Sequence, residues 1–180
     1  MIDTRRLRLR EFVENDFAAL REIEADPEIL RYRSRKVIPE AATLEFLQTC
    51  QRLAQEQPRK QYPFAIVLRD EGRLIGQIGL TLLPSEFRQA YLWYSLNRRY
   101  WGNGYMTEAV RAVVDYGFRQ LDICRLHAFC RVDNRASWRV LERAGFQRMD
   151  QSGSDMKIEP ASAEFHYALT HALSDSAGWL

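Results

Sequence analysis

Period-two alternation opens the chain: Leu7 and Leu9 are interleaved with Arg6, Arg8 and Arg10, which predicts a half-buried edge strand. Asn15 or Asp16 can cap a helix whose Phe17, Leu20 and Ile23 share a face, and Pro27 stops it before a short turn toward Tyr32. Pro39 suits a first helical position, and Leu44, Leu47, Cys50 and Ala54 then recur at spacings of three and four until Pro58. Past Pro63 the period changes. FAIVL, DEGR and LIGQIGLTL read as two buried strands joined by a tight turn at Gly72.

Ala90, Leu92, Tyr94 and Leu96 alternate with Tyr91, Trp93 and Ser95, predicting a central strand. From Thr107, the residues Val110, Val113, Val114, Gly117 and Leu121 form one helical stripe that ends near Asp122. Leu126, Ala128, Cys130 and Val132 then alternate with His127, Phe129 and Arg131, and Asn134 can cap a helix that ends at Gly145. Phe165, Tyr167 and Leu169 make a last strand; residues 150–162 read as a loop and 171–180 as a tail. Strands, then βαβα, then a strand is the order of an α/β fold with one mixed sheet. A length of 180 residues predicts a single domain over 1–180, with its core at about 4–169.

Composition removes several function classes. Hydrophobic residues at 46% and charged residues at 28% support a packed core, and 26 Lys and Arg against 24 Asp and Glu leave too little charge to draw in a nucleic acid. Three cysteines without a CxxC pair suggest neither a disulfide framework nor a zinc site. No apolar run approaches the roughly 18 residues of a membrane span, and the N-terminus does not read as a signal peptide. The expectation is a cytoplasmic protein with no membrane partner and no metal.

Chemistry concentrates in residues 96–108, LNRRYWGNGYMTE, between a predicted strand and a predicted helix. Glycines just ahead of a helix let the backbone approach a ligand where the first N–H groups and the positive dipole end face outward, which suits a diphosphate. Neither a Walker loop nor a dinucleotide G-x-G-x-x-G is present. Arg99-x-x-Gly102-x-Gly104 resembles the acyl-coenzyme-A pyrophosphate signature [Q/R]-x-x-G-x-[G/A] of the GNAT superfamily of N-acetyltransferases, and YWGNGYMTEA resembles its ribosomal-protein, RimJ/RimL-like branch. The run from Asn134 through Ser137 to Gly145 and Phe146 is similar to that branch's N-x-x-S-x-x-[VL]-[LM]-x-x-x-G-F. Thirty-two positions separate Gly102 from Asn134, room for one helix and one strand.

The resemblance implies a GNAT-like fold whose central strands, Tyr91 to Leu96 and Leu126 to Val132 here, splay so that the pantetheine arm of acetyl-coenzyme A (acetyl-CoA) fills the gap. It implies direct acetyl transfer to an amine in a ternary complex. Leu96 would offer its backbone N–H to the oxyanion; Arg99, Gly102, Asn103, Gly104, Tyr105 and Met106 would hold the diphosphate. Asn134 would bond the pantetheine arm as well as cap its helix. Ser137 is the candidate proton donor to the leaving sulfur, because the place of the superfamily's acidic tyrosine holds Trp138; its other role is a first-turn hydrogen bond. Many branch members carry a glutamate where Tyr91 stands, so the general base is unassigned among Glu86, Glu164, His166 and water. Arg139 and Arg143 face either the cofactor's ribose phosphate or solvent. Trp93, Trp101 and Tyr105 read as core and loop anchors, His127 as packed or solvent-facing, and Cys130 as a core residue. A protein N-terminal amine leads as acceptor. The alternatives are a small-molecule amine and a non-catalytic acyl-CoA sensor, and either a monomer or a homodimer fits.

Overall fold

The computed structural model describes residues 1–33, 37–84, 88–149 and 164–171. A two-residue strand β1 (Ile2–Asp3) lies outside β2 (Leu7–Arg10), so the Leu7 strand is one in from the edge rather than the edge itself. A 3-10 turn (Glu14–Asp16) leads into α1 (Phe17–Ala25), followed by α2 (Pro27–Leu30) and α3 (Glu40–Gln55). Asp16 does not cap α1 with its side chain. Its carboxylate accepts from the Val13 N–H and takes a two-point grip from Arg10, a better use of a buried charge. Pro39 is the N-cap of α3, and the stripe that this helix buries is Thr43, Leu47 and Cys50, whereas Leu44 is exposed.

The hairpin forms as its pattern predicts, β3 (Gln61–Leu68) pairing antiparallel with β4 (Leu74–Leu82). β4 pairs with β5 (Gln89–Leu96), a 3-10 turn (Arg98–Tyr100) follows, and α4 (Tyr105–Gln120) crosses over to β6 (Arg125–Arg131), parallel to β5. Then come α5 (Arg135–Arg143), β7 (Gln147–Arg148) and β8 (Glu164–Thr170). β8 lies antiparallel between β6 and β7, giving an eight-stranded sheet ordered β1-β2-β3-β4-β5-β6-β8-β7. Val132 falls beyond β6 and is exposed.

Both faces of the sheet are covered, which is why its central strands are apolar on successive residues. On one face Val110 and Val113 of α4 and Leu141 of α5 pack on Ile78, Leu80, Leu126 and Tyr167. On the other, Leu20, Ile23 and Leu47 pack on Ala65, Val67 and Leu74. Each such fully buried aliphatic side chain contributes about 1.5–3 kcal/mol, so the β5-α4-β6 crossover is rigidly seated. The predicted loop at 150–162 and nearly all of the predicted tail lie outside the described residues.

Candidate active site

β5 and β6 are paired only at Gln89, Ala90 and Tyr91 against Arg125, Leu126 and His127; beyond these rungs the strands part. A cleft of about 500 Å³ fills the space between their C-terminal halves, lined by Tyr94, Ser95 and Leu96 on one wall and Phe129, Cys130 and Arg131 on the other. The Asn97 N–H bonds the Ile75 carbonyl of β4. Peptide groups alternate between the two edges of a strand, so those of Tyr94 and Leu96 face the edge that β6 has left. The Leu96 carbonyl there takes the indole N–H of Trp101 at 2.8 Å.

The N-terminus of α4 opens onto the same cleft. Its N-cap, Gly104, has φ +76° and no side chain to satisfy the first turn, so the N–H groups of Tyr105, Met106 and Thr107 are left for a ligand. A Cβ built on Gly102, at φ +78°, meets nothing within 4 Å, and one on Gly104 meets only Arg6 Nη2 at 3.6 Å. This bare backbone and dipole end have the chemistry to take an anion such as a diphosphate. Arg99 and Asn103 lie outside the cleft lining: Arg99 is exposed on the 3-10 turn, its N–H bonded to Asn97 Oδ1. Asn103 braces the loop, its side chain donating to the Trp101 carbonyl at 3.0 Å and its own carbonyl accepting from Arg6.

Asn134 caps α5, its Oδ1 accepting the Ser137 N–H at 3.1 Å, and both residues line the cleft. Ser137 Oγ lies 2.9 Å from the phenol oxygen of Tyr94, which also reaches the Ser137 carbonyl at 3.1 Å. Burial raises the Tyr94 phenol well above its ordinary range, so it stays protonated. Burial likewise pushes the Cys130 thiol up to about 11, against a hydrogen bond with Ser137, which leaves it an inert wall residue. Trp138 does not line the cleft; its indole nitrogen is buried without a partner among the described residues. Arg139 and Arg143 are exposed on the rim.

Ile29, Tyr32 and Arg33, together with Glu164, also line the cleft. Glu86 lies outside the described residues. His166 and His127 are buried, not solvent-facing: His127 Nε2 meets Gln89 Oε1 at 2.9 Å, and His127 Nδ1 meets His166 Nε2 at 2.9 Å. An amide oxygen only accepts, so His127 carries its proton on Nε2 and accepts from His166 through Nδ1. Burial, the neighbouring His166 and Arg125 hold His127 down at about 4. The His166 ring stacks on Phe129, which lines the cleft. No group of three His, Cys, Asp or Glu side chains able to hold a metal occurs among the described residues.

A family model described as Acetyltransferase (GNAT) domain matches residues 6–147. The chain belongs to the GNAT acetyltransferase family. Among its relatives, the uncharacterized N-acetyltransferase YoaA of Bacillus subtilis is 33% identical over 151 residues, covering 82% of this chain and 83% of YoaA. The [ribosomal protein uS5]-alanine N-acetyltransferase of Escherichia coli is 31% identical over 86 residues, 47% of this chain and 44% of the enzyme. A GNAT acetyltransferase structure from Bacillus anthracis superposes with a TM-score of 0.76 at 27% identity, covering 94% of this chain and 97% of that one. The spermidine N-acetyltransferase of Vibrio cholerae, in complex with CoA and spermine, shares the fold with a TM-score of 0.74 at 15% identity, over 93% and 96% of the two chains. This GNAT protein is an acetyl-CoA-dependent N-acetyltransferase.

Tyr94 is the cleft residue that the sequence pattern hides. Its place in the alternation of β5 marks it only as core-facing, and the partner that gives it a role is 43 positions away. The bare turn ahead of α4, by contrast, is readable from Gly102 and Gly104, because their spacing ahead of a helix is local.

Proposed function

We propose that this enzyme acetylates the α-amine of a protein N-terminus of the ribosomal-protein type. The observation that carries the reading is the charge of the cleft: among the described residues lining it, Glu164 is the single carboxylate against Arg33, Arg131, Arg139 and Arg143. A polyamine with several ammonium groups is repelled by that field, whereas a peptide offers one amine followed by neutral amides. The relationship to the uS5-alanine enzyme supports the same acceptor class.

In this reading, the first-turn N–H groups of α4 and the loop at Gly102 and Gly104 hold the diphosphate of acetyl-CoA, and the bare edge of β5 takes the pantetheine arm as an added strand. The Asn134 amide bonds that arm. The Leu96 N–H donates to the oxygen on which charge develops as the amine attacks the thioester. The amine loses a proton to Glu164 or to water, and the Ser137 hydroxyl donates to the departing sulfur. Holding both reactants in one cleft supplies much of the rate by removing the cost of encounter.

The test is a competition among acceptors at fixed acetyl-CoA: a peptide beginning with alanine, spermidine and an amino sugar, with thiol release giving kcat/KM for each. The peptide is expected to lead by at least about tenfold, about 1.4 kcal/mol of discrimination. A lead for spermidine overturns the acceptor assignment while leaving acetyl transfer in place.

A further inference from the structure

Ser137 poses a chemical difficulty that its neighbour resolves. An aliphatic hydroxyl is a much weaker acid than a thiol, so Ser137 helps a leaving thiolate by donating a hydrogen bond and not by giving up its proton, and an isolated hydroxyl is a modest donor. Its side-chain oxygen is not alone, however: the Tyr94 phenol oxygen lies 2.9 Å from Ser137 Oγ and 3.1 Å from the Ser137 carbonyl. Tyr94 has one proton and two acceptors within reach. When that proton goes to the carbonyl, the phenol oxygen accepts the Ser137 O–H and the serine proton is held on the tyrosine. When it goes to Ser137 Oγ instead, the serine proton is released to point elsewhere, and Ser137 lines the cleft.

We propose that Tyr94 is a positioning residue for acetyl transfer, switching its single hydrogen bond from the Ser137 carbonyl to Ser137 Oγ so that the serine hydroxyl turns toward the departing sulfur. The chain Tyr94 O–H to Ser137 O–H to sulfur is cooperative, each bond polarising the next, so the serine becomes a stronger donor than an isolated hydroxyl. Atoms and electrons balance without ionising either residue. The amine nitrogen forms the new N–C bond and gives a proton to base or water; the C–S bond breaks with its electron pair on sulfur; the thiolate holds the serine hydrogen bond and takes its proton from water on release. The inference rests on the proposed role of Ser137.

The anchoring is built into the fold. Tyr94 sits on β5 where the peptide edge is bare, and Ser137 is fixed by the Asn134 cap at the first turn of α5, so the contact ties β5 to the start of α5. A phenylalanine keeps the ring and removes only the hydroxyl.

The experiment is a double-mutant cycle on the full chain with acetyl-CoA and whichever amine of the panel is turned over, run well below the lowest Tm of the set. Ser137→Ala should lower kcat more than about tenfold and Tyr94→Phe by about tenfold, with the double variant no slower than Ser137→Ala and the KM for acetyl-CoA within about twofold throughout. Ser137→Thr, which keeps the hydroxyl, should retain most activity in the Tyr94 background and lose about tenfold with Tyr94→Phe. Equal kcat in Tyr94→Phe and wild type, or losses that multiply in the double variant, overturn the switching role. A normal kcat in Ser137→Ala overturns the role of Ser137 itself, and Tyr94 falls with it. A loss confined to KM or Tm makes Tyr94 a packing residue and also overturns the inference.

Discussion

Glu108 Oε2 lies 2.7 Å from Arg6 Nε, and its other oxygen takes the Arg6 N–H at 2.9 Å and the Thr4 hydroxyl at 2.7 Å. One carboxylate in the first turn of α4 therefore pins the N-terminal segment to the helix whose N-terminus opens onto the cleft. Arg6 passes the support on, donating to the Asn103 carbonyl at 3.0 Å. Burial raises the Glu108 carboxyl, but the hydrogen bonds from Thr4 and Arg6 outweigh it and hold the group below its ordinary value. Its contribution is thus present at neutral pH and fades as acid protonates it. Glu108→Ala should cost about 2 kcal/mol in urea unfolding and also weaken acetyl-CoA binding, although Glu108 is not in the lining of the main cleft. Loss of stability with unchanged affinity separates the fold from cofactor binding and contradicts this linkage.

At Gly104 the two effects are expected to divide differently. Alanine there is strained by φ +76°, a cost of about 1 kcal/mol, yet its Cβ meets no atom closer than Arg6 Nη2 at 3.6 Å. Gly104→Ala should fold, with a circular dichroism spectrum like that of wild type, and bind acetyl-CoA at least about tenfold more weakly by calorimetry, because the methyl group stands where the diphosphate approaches. Full affinity in the folded variant removes the loop from the cofactor site.

Asn134 carries two assignments that substitution can separate. Asp keeps the cap acceptor for the Ser137 N–H but has no amide N–H to offer the pantetheine arm and adds a negative charge. Asn134→Asp should keep its Tm within about 2 °C of wild type and lose acetyl-CoA affinity; retained affinity makes Asn134 a cap alone.

The buried His127 predicts an acid limb of stability. Its value of about 4 lies below the ordinary 6.5, so the unfolded chain takes up this proton first as pH falls. The folded state is fully stabilised above about 6.5, and about 3 kcal/mol is lost between there and pH 4. Urea titrations across that window should show a steep decline that is visibly shallower in His127→Gln. An unchanged slope in the variant would assign the acid limb to other groups.

Legibility in the sequence followed locality. The β3-β4 hairpin, the α4 stripe and the Asn134 cap were readable because each depends on residues within a few positions of one another. β1 and β7 were not, since a two-residue strand carries no period and exists only through its partner. Leu44 had the spacing of a buried residue and is exposed, while Thr43 beside it is buried and bonded to Glu24 at 2.7 Å, a pairing across 19 positions that outweighs local hydropathy. His127 followed the same logic: its strand pattern was plain, but Gln89 and His166, its hydrogen-bond partners, come from two other strands.

The most direct test of acetyl transfer in this cleft is a single-turnover experiment with enzyme in excess over acetyl-CoA, in which CoA thiol release and the acetylated product are both quantified with and without an alanine-terminated peptide. The account predicts fast thiol release only when the peptide is present, matched mole for mole by acetyl on its α-amine, and slowed more than about tenfold by Ser137→Ala. Thiol release that is indifferent to the peptide, or a peptide left unmodified while thiol appears, would contradict it.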